Sequence, residues 1–323
     1  MSTSEARAAI RAADEELVAA LPILGWDEAV AGALFLGAVG GYGLLCGAWL
    51  TGLVSGLLPG LGVVLGLTLL LSVLHELEHD LIHDLYLRNP VVRMVVLLTI
   101  WVAKGSLDPW TRGHMHRWHH IVSGQQEDIE ERLIGLGTPW GPFRVALTLW
   151  APLAIVLQPS IRRAVRARVK EGGRGPDPRA YTNPPYLMLG NALLMLAPLA
   201  AVAGLALGAA WAWPLILLWV LPNMLRHSTI VTMSSNSHYV DIQPGQVSDQ
   251  NQILDHWLFW PLQVFCWNFG ATHVLHHLVV RQPFWRRTLV SPRVRQALVD
   301  AGIRANDLGT FRRANRHPGP TLG

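Results

Sequence analysis

Two long stretches of the chain contain no Lys, Arg, Asp, Glu or His: Ala29 to Leu74, and Tyr181 to Leu225. Each runs for about 45 residues, whereas a membrane-spanning helix needs about 20. Each stretch therefore fits two spans and a short turn. Gly56, Pro59 and Gly60 interrupt the first; Gly204, Gly208 and the Ala-rich run around them interrupt the second. The pattern predicts an all-α integral membrane protein with four transmembrane helices in two hairpins, at about 29–50, 54–74, 186–206 and 209–226. A buried core helix is the competing reading of one apolar run, but two uncharged runs of this length argue against it. A cleaved signal peptide is not expected, because the chain opens on mixed Arg, Asp and Glu and the first apolar run is too long for a signal core.

Shorter apolar segments lie between and after the spans. Residues 91–103 are too short to cross a bilayer and fit a helix lying in its interface. Residues 145–157, flanked by Arg144 and Gln158, form a candidate short or re-entrant element. Residues 251–270, with Trp257, Trp260 and Trp267, have the aromatic enrichment of a membrane–water boundary. They would equally serve as one wall of an apolar tunnel.

Charge sets the orientation. Only 15% of residues are charged, against about 25% in soluble domains, and all Lys and Arg fall in the N-terminal segment, in residues 75–180, or from Arg226 onward. Positive residues mark the cytoplasmic side, so both termini and a helical cap are expected there. The net charge of +4 and pI near 9.4 then describe a basic cap. Its most basic part, Arg162 to Lys170, suits anionic headgroups or an acidic redox partner. The expected division is a cytoplasmic N-terminal segment 1–28, a membrane domain 29–290 whose cap comprises 75–180 and 227–290, and a cytoplasmic tail 291–323. Glu171 to Pro178 reads as a linker. Cys46 and Cys266 give neither a disulfide framework nor a Cys-x-x-Cys site.

The polar segments carry most of the 14 histidines in three clusters. His75, His79 and His83 recur every fourth residue, so on a helix they share one face. Glu76, Asp80 and Asp84 form a parallel stripe, placed to accept an N–H from a liganding ring or simply solvated. His116, His119 and His120 follow i, i+3, i+4, as do His273, His276 and His277; His114 precedes the second cluster. His238, in Ser234-Ser235-Asn236-Ser237-His238, lies beyond the fourth span, on the clusters' side. His227 sits just past the membrane boundary and could be either ligand or structural. His256 beside Asp255 reads as structural, and His317 as inert.

Imidazole is the commonest protein ligand for transition metals. His75-Glu76-Leu77-Glu78-His79 satisfies the H-E-x-x-H pattern of zinc proteases, so a zinc intramembrane metalloprotease is the competing class. One zinc needs only three protein ligands and leaves both H-x-x-H-H clusters unexplained. Nine candidate ligands suit two metals: His75, His79, His116, His119, His120, His238, His273, His276 and His277. His83, His114, His227, Glu76, Asp80, Asn236 and Asp255 are candidates for extra ligands or for outer contacts. A nitrogen-rich pair in a membrane enzyme fits iron. Two ferrous ions can reduce and split O2, and the oxidant so formed can attack an unactivated C–H bond of the kind lipids offer.

The three clusters resemble the histidine boxes of the membrane fatty acid desaturase and hydroxylase superfamily: His75 and His79; His116, His119 and His120; His273, His276 and His277. The likeness covers about residues 30–290. It implies four spans below a cytoplasmic cap holding two irons, O2 as co-substrate and an external electron donor. The first box is also similar to that of membrane alkane hydroxylases, although their other boxes are not clearly present. Fatty acid desaturation is the first expectation. Hydroxylation or oxidative decarboxylation on the same scaffold is the alternative. A non-enzymatic metal transporter is disfavoured because the spans lack ionisable groups. His317-Pro318-Gly319-Pro320 is faintly similar to a cytochrome b5 haem motif, but no haem domain is expected around it. No iron–sulfur cysteines or dinucleotide fingerprint occur. Electrons are therefore expected from a separate ferredoxin, cytochrome or reductase, and no nucleic-acid partner is expected.

Overall fold

The computed structural model describes residues 1–125, 127–150, 154–170, 184–240 and 247–319. The expected linker Glu171 to Pro178 lies outside them. Fifteen α-helices carry the described fold: α1 Thr3–Ala20, α2 Asp27–Leu50, α3 Leu57–Leu81, α4 Pro90–Lys104, α5 Pro109–Val122, α6 Ile129–Leu133, α7 Pro142–Leu149, α8 Ala154–Lys170, α9 Pro185–Ala206, α10 Ala212–Leu215, α11 Leu221–Ser237, α12 Val247–Gln250, α13 Trp260–Val264, α14 Phe269–Leu278 and α15 Phe284–Asp300. Two short parallel strands, β1 (Gln252–Ile253) and β2 (Arg304–Ala305), pair with each other.

Among the described residues, four helical stretches are long and apolar enough to cross a membrane: α2, α3, α9, and α10 with α11 as one stretch from Ala212 to Ser237. Two of these helices outrun their uncharged segments. α3 continues from Leu74 to Leu81, and α11 runs past Leu225 to Ser237. Both extensions are buried and polar, carrying Glu76, Glu78, His79 and Asp80 on α3, and Arg226, Ser234 and Asn236 on α11. Apolar length thus marks where each helix can lie in lipid but not where it stops. The helix stops where its polar end has found partners inside the protein.

One π turn, Ile216–Val220, joins α10 to α11. Pro222 has no N–H to give to the Leu218 carbonyl four residues back. The Tyr42 hydroxyl of α2 donates to that carbonyl instead, at 2.6 Å, tying the first span to the fourth.

α4 and α5 meet at 91°. α4 is two-faced: Val91, Val92, Met94, Val95, Leu98 and Val102 are exposed, while Val96, Leu97, Ile100 and Trp101 are buried. Asn89 caps its start by accepting from Val91 and Val92 N–H, and Gly105 ends it in the left-handed region at φ 57°. A Cβ at Gly105 would stand 2.1 Å from the Trp219 ring, so glycine is required by both conformation and space. Asp108 then caps α5, accepting from Thr111 N–H, and Pro109 occupies the first helical position. Asn191 of α9 makes two hydrogen bonds with Asp108, each 2.9 Å. The turn that aims the second histidine cluster is thereby fixed to the third span.

α1 opens with a capping box between Ser2 and Glu5 and packs Ala6, Ile10 and Leu17 against Val290, Val294 and Leu298 of α15. The start of α14 is held by Gln263: its Oε1 accepts from Gly270 N–H at 3.1 Å, and its Nε2 donates to the Leu254 carbonyl at 2.7 Å.

Candidate metal centre

Four elements bring the histidines together: the end of α3 with the turn after it, the C-terminal half of α5, the C-terminal cap of α11, and the middle and C-terminal end of α14. His79, His83, His116 and His276 form one group, and His119, His238, His273 and His277 a second. Within each group one candidate ligand atom per residue lies within 4.8 Å of every other. In the first, His79 Nε2 is 2.9 Å from His116 Nε2, and His116 Nε2 is 3.5 Å from His276 Nε2. In the second, His273 Nε2 stands 2.7 Å from His238 Nε2 and 3.1 Å from His277 Nε2, and His119 Nε2 is 3.2 Å from His277 Nε2. His120 belongs with the first group, its Nε2 being 3.1 Å from His116 and 3.0 Å from His276.

These spacings suit shared cations. With metal–imidazole bonds of about 2.1 Å, ligand nitrogens at right angles around one ion stand about 3.0 Å apart. The tautomers point the same way. Glu130 Oε2 accepts from His116 Nδ1 at 2.6 Å, and Asp128 Oδ2 accepts from His119 Nδ1 at 2.9 Å. In the neutral ring, a proton on Nδ1 leaves a lone pair on Nε2, aimed at other imidazole nitrogens. Buried lone pairs converging this way repel unless they share a proton or a metal. His83 Nε2 is also buried without a hydrogen-bond partner, free for coordination.

Electrostatics keeps most of these rings neutral, the state in which imidazole ligates. Burial holds His120, His273, His276 and His277 well below the ordinary imidazole range, and brings His83 down to about 2. His119 differs. Burial opposes its charge, but Asp128, Glu131 and Glu130 together outweigh burial and raise the ring to about 9. The second group therefore favours a positive charge beside Asp128, which a bound cation supplies.

A cavity of about 190 Å3 adjoins both groups. His79 and His116 of the first and His273 of the second reach its wall, beside Leu107, Met115, Leu147, Ile230, Val231 and Phe269. The space next to the histidines is thus largely apolar and framed by the elements that carry them.

The family model for fatty acid desaturases matches residues 54–309. The chain belongs to the fatty acid desaturase family. No curated protein matches it. The matched span begins just before α3 and ends beyond α15, so all three clusters, His238 and the cavity fall within it. Membership makes the chain an oxidoreductase of lipid metabolism with a histidine-box metal site in a membrane protein.

Eight of the nine histidines proposed as ligands from the desaturase-like spacing come together; His75 does not. One turn before His79 on α3, its Nδ1 meets Arg226 Nη1 at 3.2 Å, and its Nε2 lies 3.5 Å from Arg112 Nη2, on the cavity wall. His83 joins the first group instead. Both pairs, His75–His79 and His79–His83, share one helical face, so periodicity cannot choose between them. The choice is made by how far along α3 the helices α5 and α14 cross it.

Glu76 and Asp80 also differ from expectation. Both hold the buried Arg287, Asp80 Oδ1 at 2.9 Å and Glu76 Oε2 at 3.9 Å, and Asp80 Oδ1 stands 3.8 Å from His79 Nδ1, beyond hydrogen-bond distance. Arg287 Nη1 in turn stands 3.0 Å from His276 Nδ1. Asp84 is exposed and pairs with Arg93. His114 contacts Arg117. His227 reaches the Leu147 carbonyl at 3.2 Å and lines the cavity. Asn236 is bound to Thr232, Asn315 and Gln252, and Asp255 to Arg295 and Asn306. None of these five is in either group.

Asp128, Glu130, Glu131 and Arg287 are the site residues that sequence reasoning passed over. The signal available was the acidic run from Glu127 to Glu131, a few residues after the second cluster. Once α5 ends at Val122, the chain turns back and α6 lies beside it.

Proposed function

We propose that the protein holds two irons, one in each four-histidine group with His120 joining the first, and oxidises an unactivated C–H bond of an acyl chain with O2. Desaturation is the first outcome, with hydroxylation or oxidative decarboxylation as the alternative on the same scaffold. The observation that carries this reading is a cavity with a largely apolar surface whose wall includes His79 and His116 from one group and His273 from the other. Bound iron supplies O2 reduction and the oxidising power for hydrogen removal, and the electrons come from a separate ferredoxin, cytochrome or reductase.

The chain's own residues do the rest. Glu130 and Asp128 orient His116 and His119 and strengthen them as donors. The apolar wall excludes water and presents the acyl chain to the histidines. Spans α2, α3, α9 and α10–α11 keep the site next to its lipid supply. The exposed Arg162, Arg163 and Arg166 of α8 support a cytoplasmic site and cytoplasmic termini through the positive-inside rule.

The zinc protease reading needs His75 and His79 on one ion with Glu76 beside a bound water. His75 faces Arg226 and Arg112, and Glu76 faces Arg287, which argues against it. Lipid analysis of cells expressing the protein tests the proposal. A new double bond, hydroxyl or lost carboxyl, absent in a His276→Ala control, supports it. Unchanged lipids under aerobic expression with a competent donor contradict it.

A further inference from the structure

Three cationic side chains line the cavity beside the histidines, and one of them has no carboxylate partner among the described residues. Lys104, Arg112 and Arg226 all line it. Lys104 and Arg112 share a single carboxylate oxygen, Glu78 Oε2. The acids on the cavity wall each face a group other than Arg226, although Glu131 Oε2 is itself buried without a hydrogen-bond partner. Glu130 receives His116 Nδ1 at 2.6 Å and lies 3.8 Å from Arg112. Glu131 accepts from Ser234 at 2.7 Å and lies 3.8 Å from His238. Arg226 has no carboxylate within ion-pair distance among the described residues. It is 4% exposed, donates one hydrogen bond, to His75 Nδ1, and has its Nε buried without an acceptor. Ser106 Oγ lines the same cavity, also buried without a partner.

A buried guanidinium without a counter-ion costs several kcal/mol, so the arrangement calls for an anion. The free Nε edge of a planar guanidinium matches the two oxygens of a carboxylate. Lys104, Ser106, Arg226 and His227 also line a second cavity of about 40 Å3 that reaches Pro198 of α9 and Trp219 of the π turn. The cationic cluster therefore stands where a path from the spans meets the space beside the histidines.

We propose that the substrate is a free carboxylic acid whose carboxylate docks on Arg226, with His75 orienting the guanidinium and Ser106 adding a donor. This rests on the lipid-oxidation reading above and names its substrate class. Because His75 is one helical turn, about 5.4 Å, from His79, the first carbons after the carboxylate lie against the histidine groups, and oxidation falls near the carboxyl end.

Binding of lauric acid, methyl laurate and a lysophosphatidic acid to the purified full chain in detergent, followed by intrinsic tryptophan fluorescence, tests this without turnover. Lauric acid is expected to bind at least tenfold more tightly than the other two. Arg226→Gln weakens the acid by about ten- to a hundredfold, the loss of one charged hydrogen-bonding group. It leaves the ester and the iron content unchanged, and His75→Ala lowers the same preference more weakly. Equal binding of acid and ester, tighter binding of the phosphate lipid, or a full acid preference in a folded, iron-replete Arg226→Gln protein overturns the proposal. If Arg226→Gln does not fold, Arg226→Lys, which keeps the charge and loses the fork, replaces it, and an unchanged preference there has the same meaning. Mapping the oxidised carbon adds a second reading: a position near the carboxyl end agrees, and one at the far end of the chain contradicts. The binding preference stands or falls separately from oxidation, so loss of activity with the preference intact faults the functional reading and not the carboxylate site.

Discussion

Replacing Asp128 separates metal tuning from folding. Asp128 is fully buried. Its Oδ2 accepts from His119 Nδ1 at 2.9 Å and Gly124 N–H at 3.1 Å, and its Oδ1 accepts from Glu131 N–H at 3.2 Å as the cap of α6. Asp128→Asn keeps the shape and, since Asn caps as well as Asp, the helix start. It removes the charge that raises His119 and makes its Nε2 a stronger donor. Losing such an outer partner lowers metal affinity about 10–100-fold, equivalent to about 1.4–2.7 kcal/mol. Asp128→Ala loses the same and the cap as well, a further cost of about 1 kcal/mol in stability. The assay is iron titration of metal-free protein in detergent, with thermal unfolding of the metal-free form alongside. The expected result for Asp128→Asn is two separable binding events, only the one at the His119, His238, His273 and His277 group weakened, with metal-free stability near wild type. Asp128→Ala is expected to lower both. An Asp128→Asn protein that binds both irons with wild-type affinity, or loses both equally, refutes the reasoning.

His83→Ala is expected to lose about one iron per chain, while His75→Ala keeps both; metal analysis of the two variants checks this, and the reverse outcome would restore His75 to the first group. Glu78→Gln takes the shared partner from Lys104 and Arg112 inside the protein, and breaking buried pairs of this kind costs about 3–5 kcal/mol; thermal unfolding near wild type would show that those cations do not depend on it. Gly270→Ala puts a Cβ 2.3 Å from the Leu254 carbonyl oxygen and 2.4 Å from Met233 Cε. Overpacking of this sort costs about 1–3 kcal/mol, and at one turn before His273 it should lower iron occupancy of the second group along with the unfolding temperature; unchanged values of both would contradict the packing at the start of α14.

The spans were legible because lipid permits few charges, so absence of charge over Ala29 to Leu74 and Tyr181 to Leu225 marks helices without any knowledge of their neighbours. The clusters of α5 and α14 were legible for a related reason: H-x-x-H-H on a helix puts its rings on one face wherever the helix goes. The first cluster was not decided by that logic, since His75 and His83 are equally spaced from His79 and only the crossing point of α5 and α14 distinguishes them. Asp128 and Arg287 were illegible for the same reason. Each is a common residue in a charged run, and its role depends on a contact made across the fold, Asp128 back to α5 and Arg287 from α15 to α3. Arg226 looked in the sequence like the first charge after a span. Its meaning lies in the lack of a carboxylate partner, which only the packing of α11 against α3 and α4 reveals.

The most direct test of the account is the metal content of the detergent-purified chain, grown with iron and zinc both available. Two irons per chain is the predicted result, in keeping with two four-histidine groups 79/83/116/276 and 119/238/273/277. One zinc per chain with no iron would contradict the central claim.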